Sequence, residues 1–131
     1  MEDISSLALA FVGDAVFNLF IRTMVIKTKK KVRDLHVESI KYVKASAQAE
    51  ILKKLEAFLT PEEREVVRKA RNAKVNTVPK NATLADYHMS TGFEALLGYL
   101  YLSGQNDRLN KILLASYEVI KNSSEKESDR S

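Results

Sequence analysis

Residues 7–22, LALAFVGDAVFNLFIR, decide how this chain folds. Apolar side chains fill the stretch without the alternation of a strand, so it predicts a helix from about Ile4 to about Ile26. Asp14, Asn18 and Arg22 are spaced by four and form one polar stripe on that helix. Extended backward, the stripe meets Ala10 and Ser6, both small. The run is long enough to consider as a membrane span. An acid inside a membrane is costly, however, and the stripe fits a core helix with one functional or interface face. Gly13 removes a side chain just before Asp14, so a neighbouring helix or a ligand can come close.

Working outward, the nearest counterpart is residues 90–102, STGFEALLGYLYL, with Glu94 set in apolar sequence. A lone ionised carboxylate on a buried face costs several kcal/mol even after relaxation. Two such acids, far apart in the chain, suggest a shared partner, and a divalent cation is the simplest one. Two acids on a hard cation are the working parts of a phosphodiester hydrolase. On the second helix Thr91, Glu94 and Gly98 share a face, while Phe93, Leu96, Leu97 and Leu100 serve the core. Bland readings stand beside these. Asp14 as a buried acid bonded to backbone is one, although Arg22 lies roughly 12 Å along the axis and is poorly placed to pair with it. Glu94 as a surface or salt-bridged residue is another.

Composition narrows the rest. The chain has 131 residues, 45% of them hydrophobic, which suits one domain with a real core. Four Gly and two Pro imply long regular elements. Without cysteine there is no disulfide framework and no thiolate metal site; this is compatible with a reducing compartment, and a cytoplasmic location is the expectation. The opening Glu2 and Asp3 do not resemble a signal peptide. The net charge of +4 is mild, but its distribution is uneven. Ala15 to Arg33 holds no acid and carries Arg22, Lys27, Lys29, Lys30, Lys31 and Arg33. Val66 to Ala85 holds none either and carries Arg68, Lys69, Arg71, Lys74 and Lys80. Two such stretches predict a surface for a polyanion, against the alternative of solvated helix ends.

The expected fold is all-α, with about six main helices. After the first come helices over about Val32–Val43 (core Leu35, Ile40, Val43) and Ser46–Leu59 (core Ala49, Leu52, Leu55, Phe58). Thr60-Pro61-Glu62-Glu63 is a capping box that starts a helix to about Ala73. A basic loop, Lys74–Thr83, precedes a helix from about Ala85 to Leu102 that stops at Gly104. The last helix covers about Asp107–Lys121. Residues 1–122 form the domain, and 123–131 a disordered polar tail. His36, expected to be partly buried, and His88 do not form a metal-binding spacing, and no Gly-rich phosphate loop or nucleophile elbow is present.

Taken together, LAFVGDAVFNLFIR and STGFEALLGYLYL resemble the two acidic helices of the ribonuclease III catalytic domain. DLHVESIKYVKASAQAEIL, VRKARNAK and VPKNATLADYHMSTGFEALLGYLYL follow in order and are most similar to the short Mini-III branch, from about Leu7 to Leu109. The resemblance implies a metal-dependent endoribonuclease that cuts double-stranded RNA and matures large-subunit (23S) ribosomal RNA precursors. It implies a homodimer, with Mg²⁺ at Asp14 and Glu94 and Mn²⁺ as a substitute. Ala10 and Thr91 stand where full-length relatives carry two further acids, which leaves the metal count open. The family's double-stranded RNA-binding domain has no counterpart in these residues. Arg68, Arg71, Asn72, Lys74, Lys80 and Asn81 are the candidate RNA contacts, from charge, loop position and resemblance. Phe11 falls where the family packs an apolar residue into its partner subunit; a core role is the other reading. A ribosomal protein that assists the substrate is a further expected partner, and a membrane is not. The alternatives are a non-catalytic RNA-binding protein and a helical dimerisation protein on the same scaffold.

Overall fold

Ser5 starts the first helix. Its side chain accepts a hydrogen bond from the Ala8 N–H at 3.1 Å, satisfying one of the donors that a helix start leaves free. Helix α1, Ser6–Val25, follows. In this computed structural model, which describes residues 4–29, 31–74 and 77–130 and side chains as far as 125, the remaining elements are all helical. They are α2, Val32–Val43; α3, Ala45–Leu55; a 3-10 turn, Glu56–Phe58; α4, Pro61–Arg71; α5, Leu84–Leu102; and α6, Asn106–Arg130. Glu2, Asp3, Lys30, Val75 and Asn76, which figure in the sequence argument, lie outside the described residues.

The punctuation works as the sequence implies. The Glu63 N–H donates to Thr60 Oγ1 at 3.1 Å, and the Thr60 N–H donates to Glu63 Oε1 at 2.9 Å, closing the capping box of α4. Thr83 caps α5 by accepting from the Asp86 N–H at 3.0 Å. Gly104, with φ +72°, ends α5 in the left-handed region. Between α2 and α3 a single extended residue, Lys44 (ψ 153°), makes the corner.

Helix α5 is central. Phe93, Leu96, Leu97 and Leu100 on it are no more than 1% exposed. Burying each such side chain contributes roughly 1.5–3 kcal/mol. Helix α1 covers one side with Phe17, Ile21 and Val25, and Phe17 meets Phe93 edge to face with centroids 5.1 Å apart. Ile51 and Leu52 of α3 close a second side; Leu109, Ile112 and Leu113 of α6 complete the cluster. Helix α1 is long and apolar enough to cross a membrane by length and composition; here its Phe17–Ile21–Val25 face packs into the core.

Three expectations are corrected. Ile40 is 45% exposed, because α2 turns Ser39 and Tyr42 inward, and Tyr42 stacks on Tyr117 of α6 at 5.1 Å. His36 is likewise exposed, at a groove between α1 and α2 that Asn18 and Arg22 also line. Phe58 is 73% exposed: the 3-10 turn breaks the 3.6-residue phase of α3, and Leu59 takes the core position instead. Helix α6 runs to Arg130. Ser123 is half-buried and donates to the Glu50 carboxylate, and adding turns to an existing helix needs no new nucleus.

Candidate active site

The crossing of α1 on α5 builds the site. A Cβ on Gly13 would land on the Glu94 carbonyl oxygen, and one on Gly98 would land on the Leu9 carbonyl oxygen. Only glycine permits this reciprocal backbone contact, and it sets the carboxylates of Asp14 and Glu94 side by side. They share a cleft of about 550 Å³ with Leu7, Ala10, Phe11, Lys74, Thr77, Tyr87 and Thr91.

The two acids sit in different surroundings. Asp14 is exposed, and Asn18, one turn on, fixes it: Asn18 Nδ2 donates to Asp14 Oδ1 at 3.0 Å and to the Asp14 carbonyl at 2.8 Å. Asn18, not Arg22, is therefore the partner on the stripe. Glu94 is half-buried. Burial first, then the hydrogen-bonding proximity and charge of Asp14, push its carboxyl from about 4.5 up to about 8, while Gln48 acts in the opposite direction. Gln48 Nε2 reaches Glu94 Oε2 at 3.4 Å and the Val43 carbonyl at 2.9 Å.

Ala10 and Thr91 are both buried at the cleft floor. The Thr91 hydroxyl donates to the Tyr87 carbonyl at 2.9 Å. Among the described residues, no group of three or more His, Cys, Asp and Glu is placed to hold a metal ion. The acidic side chains lining the cleft are Asp14 and Glu94.

The cationic candidates divide. Lys74 lines the acidic cleft itself. Arg68, Arg71 and Asn72 line a neighbouring groove of about 880 Å³ along α4. Arg71 and Asn72 also face a groove with Lys53, Asp86 and His88. Arg68 is engaged bidentately by Glu65 at 2.6 and 2.9 Å, and Arg71 pairs with Glu56 at 3.5 Å. Lys80 and Asn81 are exposed and line none of these clefts. Phe11 is 81% exposed at the rim, so this chain alone gives it no core role. Sequence reasoning missed Gln48. Its signal was a lone amide in the small and apolar run ASAQAEIL, the same kind of signal that drew attention to Asp14.

Comparison with known proteins gives the family of the chain. The family model described as Ribonuclease III domain matches residues 7–105. A Mini-ribonuclease 3 from a Thermoanaerobacter species is 52% identical over 118 residues, 89% of this chain and 83% of that protein. A Mini-ribonuclease 3 from Clostridium tetani is 40% identical over 98% of this chain and 87% of its own length. A crystallised protein from Fusobacterium nucleatum superimposes with a TM-score of 0.82 at 32% identity, covering 92% of this chain and 95% of that one. The chain belongs to the ribonuclease III family of endoribonucleases, and within it to the Mini-ribonuclease 3 group.

Proposed function

We propose that the chain cuts double-stranded RNA as a divalent-cation-dependent homodimer, and that its substrate is a precursor of large-subunit (23S) ribosomal RNA in the cytoplasm. The observation that carries this reading is the juxtaposition of Asp14 and Glu94 at one cleft, beside Lys74. Members of the ribonuclease III family are generally dependent on a divalent metal. The residues present fit one. A half-buried carboxyl beside a second carboxylate is strained electrostatically, and a dication between them relieves that strain. Both donors are hard oxygens, as Mg²⁺ prefers; Mg²⁺ keeps several waters and needs one or two protein carboxylates, with Mn²⁺ the natural substitute. When bound, the cation supplies positive charge at the scissile phosphate and favours attack by water.

The chain's own residues do the rest. Asp14 and Glu94 hold the ion, with Asn18 fixing the orientation of Asp14. The Lys74 ammonium, at the same cleft, attracts the phosphate backbone. Arg68, Arg71 and Asn72 extend the contact along α4, with Lys80 and Asn81 from the following loop. Such contacts suit the phosphates and 2′-hydroxyls presented by A-form RNA. In this reading residues 74–83 also influence where the duplex is cut, and a ribosomal protein assists substrate folding. The bare Phe11 ring beside the cleft supports dimerisation, since a large exposed aromatic is best covered by a partner. Residues 1–122 carry all these groups.

The test is cleavage of a perfect RNA duplex with Mg²⁺ by wild type, Asp14→Asn and Glu94→Gln. Wild-type cutting with loss in both variants is expected. Full cleavage by both variants would remove the two acids from the chemistry.

A further inference from the structure

Gln48 is only 2% exposed, yet its side chain is not fully satisfied. Nε2 donates to the Val43 carbonyl at 2.9 Å and to Glu94 Oε2 at 3.4 Å, while Oε1 is buried with no partner among the described residues. An unpaired buried oxygen costs about 1–3 kcal/mol. A leucine or methionine of similar size would avoid that penalty inside a helix that already buries Ala47, Ala49, Ile51 and Leu52. The orientation of the amide is fixed, because the Val43 carbonyl needs a donor and so selects the nitrogen. The second N–H of the same nitrogen then faces Glu94.

The corner between α2 and α3 explains how one side chain reaches both groups. Lys44 is the only residue between the two helices, so Gln48, one turn into α3, sits beneath the last carbonyl of α2. On its other side α3 packs against α5, where Glu94 lies. Glu94 thus has a neutral donor on the protein side and Asp14 on the cleft side.

We propose that Gln48 is a positioning residue for the catalytic site: its amide, anchored on the Val43 carbonyl, holds one oxygen of Glu94 and leaves the other for the divalent cation. Asn18 does the corresponding work on Asp14, so each acid has one amide partner. This rests on the reading of Asp14 and Glu94 as cation ligands. Partners that orient metal ligands typically change metal affinity 10–100-fold, roughly, when removed.

The experiment is a Mn²⁺ titration followed by electron paramagnetic resonance, with single-turnover cleavage of duplex RNA and thermal melting in parallel. Gln48→Leu and Gln48→Met both delete the amide, and the methionine keeps its length. Expected are a Mn²⁺ dissociation constant raised roughly 10-fold or more, a cleavage rate lowered by a similar factor, and an unchanged KM for RNA. In a Glu94→Gln background the same substitutions should add little, because the two residues act as one unit. Unchanged Mn²⁺ affinity in either folded variant would overturn the proposal. So would losses that simply track melting temperature, or that add fully to those of Glu94→Gln; Gln48 would then be only a cap for α2. Failure of Glu94→Gln itself to weaken Mn²⁺ binding would instead overturn the underlying assignment of the cation ligands.

Discussion

The carboxylates of Glu63 and Glu94 are both drawn into this fold, and they are treated in opposite ways. Glu63, at the start of α4, is 3% exposed and fully engaged. Arg108 of α6 grips it through Nε and Nη2, both at 2.8 Å, and the Thr60 N–H donates to it as well. The guanidinium holds its carboxyl below the usual range despite burial. Glu94 has a second acid for a neighbour and a single long amide contact, and it is pushed up to about 8. A buried acid with its cation already present is a structural joint; a half-buried acid facing another acid is the kind of group from which the proposed cation site is argued.

The contrast can be broken most forcefully at Glu94. Glu94→Gln should lower duplex cleavage by about 10³-fold or more, equivalent to about 4 kcal/mol in the barrier, while the metal-free protein melts higher at pH 8. Arg108→Leu should do the reverse: a loss of roughly 3–5 kcal/mol in denaturant unfolding, since Glu63 is left buried without its cation, with kcat of the folded fraction kept. Gly13→Ala drives a methyl into the Glu94 carbonyl. It should lower stability by about 3 kcal/mol and activity with it, because overpacking must spread the helices.

A pH series on metal-free protein sharpens the same comparison. Glu94 is raised in the folded state, so its contribution to stability is fully present below about 4.5 and is lost as pH rises through about 8. Glu63 is lowered, so its contribution is present above its ordinary 4.5 and is lost as pH falls. Melting curves of Glu94→Gln should lack the decline that runs from about pH 4.5 to about pH 8, and saturating Mg²⁺ should suppress it in wild type. The smallest effect belongs to Phe11→Ala. At 81% exposure it should change monomer stability by less than about 0.5 kcal/mol, while analytical ultracentrifugation shows a weaker dimer.

Much of this was legible in the sequence because it is local. The Asp14–Asn18–Arg22 stripe, the Thr60 box and the Gly104 stop each depend on neighbours within a few residues. The pairing of Asp14 with Glu94 was accessible only as an inference from two glycines and a resemblance, since helical period names a face and not what lies against it. The same gap hid Gln48, whose contact with Glu94 spans 46 residues of chain. It also misplaced Ile40, because α2 offers two apolar edges and the stacking of Tyr42 on Tyr117 selects the other one. Phe58 was lost to a change of helical pitch that its own neighbours do not announce.

The reciprocal glycine contact between α1 and α5 has a mechanical corollary. Main-chain atoms, rather than interdigitated side chains, set how near the two helical rods lie. The jaw that carries Asp14 on one arm and Glu94 on the other therefore has a rigid hinge pin. Substitutions that repack the far core can soften the body of the molecule without widening that bite.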